Sequence, residues 1–111
     1  MAGSCPSIDN LSISNEGSRA LNDIKRIMQN ADILQKAMLG GTLVNALLSD
    51  KAIPMSFNVN MTDWQTLALA VKSVPGIAQN RIQNLSGRMA LRTRGKENVF
   101  WKAMYDLCMF N

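Results

Sequence analysis

The chain has 111 residues, 47% of them apolar, with twelve Lys and Arg against eight Asp and Glu, no histidine and two cysteines. That length and composition suit one folded domain, and no apolar run nears the ~20 residues of a membrane span. Without histidine there is no Ser-His-Asp or Cys-His nucleophile, and Cys5 and Cys108, near opposite ends, cannot form a tetrahedral thiolate zinc site. The expectation is a protein that acts by binding, not an enzyme, with no metal and no cofactor.

The net charge of +4 is unevenly placed. Acids and bases balance over residues 1–80. Residues 81–111 hold Arg81, Arg88, Arg92, Arg94, Lys96 and Lys102 against Glu97 and Asp106. A basic last quarter on a neutral body suggests a polyanionic partner.

Residues 1–17 are small and polar and read as a flexible arm. They lack the basic start and apolar stretch of a secretory signal, so the cytoplasm is the expected compartment and both cysteines read as reduced thiols. Residues 18–111 read as a single mostly helical domain. In its N-terminal part, 18–49, Leu21, Ile24, Met28, Ala31, Leu34 and Met38 recur at steps of three and four, which places them on one helical face. Ser18 is a candidate cap for that helix, and Gly40-Gly41 ends it. A short second helix is expected over 43–48, and Pro54 breaks the helical pattern.

The period then changes. Met55, Phe57, Val59 and Met61 alternate with Ser56, Asn58, Asn60 and Thr62, the pattern of a strand with one apolar and one polar face. A lone strand leaves its backbone groups unpaired. Its copy in a second subunit is the economical partner, which makes a homodimer the expected state. The plainer reading is a hairpin or sheet edge in an α+β fold, with a polar face that is merely solvated. Thr62 or Asp63 is expected to cap a helix over 63–73, and Pro75-Gly76 turns the chain. A further helix from about 78 turns Ile82, Leu85, Met89 and Leu91 inward, is weakened at Gly87, and ends at Gly95. The last helix, 96–109, carries Phe100, Met104 and Leu107 on one face, with Trp101 and Cys108 on its flank.

Strand, helix, glycine-containing turn and helix over 55–91 resemble the ribbon-helix-helix family of DNA-binding proteins. The resemblance rests on Ser56-Phe57-Asn58-Val59-Asn60-Met61, the capped helix after it, and Gly76 before the next. It implies a two-stranded ribbon, made across a dimer, that enters the major groove of DNA. Ser56, Asn58 and Asn60 then take the base-facing positions, and Phe57, Val59 and Met61 the core positions. Asparagine suits that role because its amide can bridge adenine N6 and N7. The resemblance also implies that the start of the second helix, with Arg81, meets a phosphate. The strand carries no Lys or Arg and lies far into the chain, both departures from the family's pattern.

The basic segment adds Arg88, Arg92, Arg94 and Lys96, four cations in nine residues, as candidate phosphate contacts. The expected function is therefore nucleic-acid binding, DNA ahead of RNA, as in a dimeric regulator of transcription. The alternative is a helical adaptor or inhibitor that docks a protein through Phe100, Trp101, Met104 and Leu107. In that case the eight methionines would suit an adaptable surface.

Overall fold

The computed structural model describes residues 7–30, 47, 53–54, 56–72 and 74–109. Over these residues the chain is mainly helical, with four helices and a small two-stranded antiparallel sheet. The order is β1 (Ile8–Ser12), α1 (Asn15–Asn30), β2 (Ser56–Val59), α2 (Met61–Lys72), α3 (Gly76–Arg92) and α4 (Gly95–Met109). None of the described helices is long and apolar enough to cross a membrane.

The alternating segment is a strand: Phe57 and Val59 are buried, while Ser56 and Asn58 face solvent. Its partner lies in the same chain. β2 pairs antiparallel with β1, placing Ile8 opposite Val59, Leu11 opposite Phe57 and Ser12 opposite Ser56. Two expectations are corrected here. Residues 8–17 are not part of an arm, since Ile8, Leu11 and Ile13 are buried and α1 starts at Asn15. The strand also does not wait for a second subunit, so the backbone argument for a dimer falls away. β1 escapes a search for alternation because it is bulged. Two residues, Asp9 and Asn10, lie between Ile8 and Leu11 where β2 has only Asn58. One extra residue breaks the period of two. Asn10 takes φ 53°, a left-handed conformation that asparagine tolerates better than most residues.

Two helices, each with a side-chain cap, begin earlier than the apolar spacing suggests. Ser14, not Ser18, caps α1: its Oγ accepts the Gly17 N–H at 3.1 Å. Asn60 caps α2, in place of Thr62 or Asp63. Its Oδ1 accepts the Asp63 N–H and the Asp63 carboxylate accepts the Asn60 N–H, both at 3.0 Å. Such a reciprocal box satisfies two backbone donors at once. Along α1 the expected face is buried at Leu21, Ile24 and Met28. Ala31, Leu34, Met38, the Gly40-Gly41 stop, Met55 and Cys5 lie outside the described residues. So does the second helix apart from Leu47, which is buried.

α3 and α4 form a closely packed helical hairpin. α3 ends at Arg92, before the expected stop at Gly95, and Leu91, expected inward, is exposed because it falls on the opposite side of the helix from Met89. Its last carbonyls are satisfied: the Thr93 N–H and hydroxyl donate to Met89 O, and the Asn98 amide donates to Ala90 O and Thr93 O. Gly95, at φ +67°, then starts α4. Gly87 has a packing reason, because a Cβ there would lie 3.1 Å from two ring carbons of Tyr105. The core is centred on aromatic rings from β2, α2 and α4. Phe100 meets Phe57 edge-on at 6.2 Å between centroids, Trp64 at 5.6 Å and Trp101 at 5.0 Å.

Candidate nucleic-acid interface

The side chains expected to meet nucleic acid divide into those that hold the fold and those left open. Asn58 is exposed, but its Oδ1 accepts the N–H of Asn10 at 2.6 Å and so fills the bulge of β1. Lys96 clamps the same bulge, donating from Nζ to the carbonyl of Asp9 at 2.8 Å. Asn60 is taken up in the cap of α2. Of the three expected base readers, only Ser56 has no such structural duty.

Arg92 is paired as well: its guanidinium lies 2.9 Å from the Glu16 carboxylate, with both side chains more than half exposed. A pair so open to water is worth about 0.2–1 kcal/mol, but it joins the end of α3 to the start of α1. Arg94 is exposed in the turn after α3.

Arg81 and Arg88 are arranged differently. Both are exposed on α3, seven residues apart and thus about two turns, and neither forms an ion pair among the described residues. α1 lies against α3 and runs antiparallel to it. Glu16 near its start meets Arg92, while Ile27 shares a groove with Ala78. That open groove, about 620 Å³, is lined by Arg81, Asn84 and Arg88 from α3 and by Asp23 and Arg26 from α1. Its apolar surface comes from Ile27, Pro75, Ile77, Ala78 and Leu85. Three arginines thus converge from two helices on one concavity that holds, among the described residues, a single acid, Asp23.

Arg26 and Asn84 were not among the sequence candidates. Arg26 belongs to the charge-neutral part of the chain, and only the antiparallel contact of α1 with α3 adds it to the basic quarter. Asn84 could have been found, since it falls between Arg81 and Arg88 on one helical face.

The proposed protein-docking face is corrected. Phe100, Trp101 and Met104 are fully buried, and Leu107 is half-buried against the same core. The Trp101 indole N–H donates to Glu97 Oε2 at 3.1 Å, and the Ser14 N–H and hydroxyl donate to the same carboxylate. These contacts fasten α4 beneath the β1–α1 junction. The aromatic helix is interior because the sheet and α2 cover its apolar face. Among the described residues no three Cys, Asp or Glu side chains converge as metal ligands would.

No family model matches this chain, and neither does any curated protein or any solved structure.

Proposed function

We propose that this is a small nucleic-acid-binding protein whose cationic site is the α1–α3 groove, with Arg26, Arg81 and Arg88 as the charges that attract the polyanion. The observation that carries the reading is the convergence, from two helices on one groove, of three exposed arginines that form no ion pair among the described residues. Cations that serve stability find partners, as Arg92 does with Glu16 and Lys96 with Asp9 O. Guanidinium groups suit phosphate because their planar fork donates two parallel hydrogen bonds and never loses its charge. The apolar floor of Ile27, Ala78 and Leu85 gives sugar carbons a surface to lie on.

The order β2–α2–α3 accords with the ribbon-helix-helix resemblance. The ribbon is nevertheless a poor candidate for base reading, since Asn58 and Asn60 already have partners and the bulge beside them carries Asp9. This reading therefore moves the interface from the strand to the helices.

The test is fluorescence anisotropy with a labelled DNA duplex over a series of salt concentrations. Log K should fall with log salt, by about 0.9 for each phosphate neutralised on a duplex. Changing Arg26, Arg81 and Arg88 together to Gln should flatten that slope and weaken binding to every sequence, with the melting temperature unchanged. A triple variant that binds as tightly and as steeply as the parent would sink the reading.

A further inference from the structure

We infer that α3 is also the element that reads base sequence, by entering the major groove of duplex DNA with Arg81, Asn84 and Arg88. This rests on the nucleic-acid reading above and assigns the job that the strand does not fill.

The exposed face of α3 along the groove carries Ile77, Arg81, Asn84 and Arg88, with Leu91 beyond them, at alternating steps of four and three. Such steps keep side chains in one row, drifting only about 20° per seven residues. All five are exposed, and the two large apolar residues at the ends of the row are among the most open in the molecule, Ile77 at 79% and Leu91 at 89%. The polar members make no side-chain hydrogen bond or ion pair among the described residues, unlike Asn58, Asn60 and Asn98.

Residue type and spacing match base edges. Arginine gives a bidentate contact to guanine O6 and N7, and asparagine one to adenine N6 and N7. Arg81 to Arg88 spans about 10.5 Å along the helix, close to three base steps at ~3.4 Å. Ile77 and Leu91, beyond each arginine, suit the methyl group of thymine. A helix about 10–12 Å across also fits a major groove about 12 Å wide. The adjoining concavity gives the flanking sugar–phosphate strand a place, with Arg26 on its far wall. Duplex RNA does not offer this fit, because its major groove is too narrow for side chains to read.

The experiment is selection of bound duplexes from a random DNA library with the full chain, followed by the same selection with Asn84→Ala and with Arg26→Gln. The parent should enrich a short purine-rich segment with adenine between guanines. Asn84→Ala removes no charge, so it should keep affinity for random DNA and the salt slope while losing about tenfold of the discrimination at the central adenine. Arg26→Gln should keep the selected motif and lower the slope by about 0.9. Melting curves of both variants should overlay that of the parent. Salt-dependent binding with no enriched motif, or one that Asn84→Ala leaves intact, overturns the inference and leaves the binding function standing. So does preference for single-stranded DNA or for RNA. Failure to bind any nucleic acid overturns both.

Discussion

Arg92 and Lys96 stand close in sequence to Arg81 and Arg88, and all four belong to one basic run. Within the molecule they serve opposite ends. Arg92 and Lys96 flank the turn between α3 and α4, where the β1–α1 junction presents the Glu16 carboxylate and the Asp9 carbonyl within 3 Å. Their charge is compensated or hydrogen-bonded, and they help to hold three elements together. Arg81 and Arg88 face the middle of α1, which offers a further arginine, Arg26, beside the acid Asp23. There the cations accumulate instead of cancelling. The residues are of one chemical kind, and only their neighbours differ. A count of cations along a chain locates a charged region, but partners decide which members remain free for a ligand.

The broadest way to break this contrast is to attack the wall behind both groups. Phe100 touches Phe57, Trp64 and Trp101 in the buried centre of the molecule. Phe100→Ala should cost about 3–5 kcal/mol, read from urea unfolding. A loss under about 1 kcal/mol would mean that α4 does not pack as core and would restore it as a docking face. A smaller effect sharpens the contrast itself. Arg92→Met and Lys96→Met should each lower stability by about 0.2–1 kcal/mol and leave the salt slope of DNA binding nearly unchanged. The reverse pattern, an altered slope with stability intact, would place both residues at the interface. The finest test is in the groove. Asp23→Asn removes a negative charge beside the three arginines and should tighten DNA binding about twofold at low salt, an advantage that fades as salt screens it. Equal or weaker binding at low salt would put the polyanion elsewhere.

Much of the helical frame was legible in advance. Leu21, Ile24 and Met28, and later Ile82 and Met89, recur at a helix's own period, and all are buried. Phe57 and Val59 did the same for β2 at a period of two. β1 was not legible, because the extra residue at Asp9-Asn10 displaces Leu11 from the alternation. The helix starts moved for a related reason. Ser14 and Asn60 act through hydrogen bonds to nearby backbone, which hydrophobic spacing does not register. Of the candidate site, Arg88 stands out in the basic segment and Arg81 through the family resemblance, and both lie in the groove. Asn58, Arg92 and Lys96 stand out as well, but each bonds to a group that only folding brings near, while Asn60 is taken up in the local cap of α2. Phe100 and Trp101 showed an apolar face without showing what would cover it.

By itself, then, the sequence determined the periodicities: where helices run, which strand face is apolar, and that the positive charge gathers at one end. Those properties follow from side chains a few positions apart. The tertiary structure decided that β2 pairs with β1, that α4 is interior, and that Arg26 joins Arg81 and Arg88 while Arg92 and Lys96 are drawn into the fold. Each of these depends on groups tens of residues apart being held within a few ångströms, and no local pattern records which distant partner the packed core will supply.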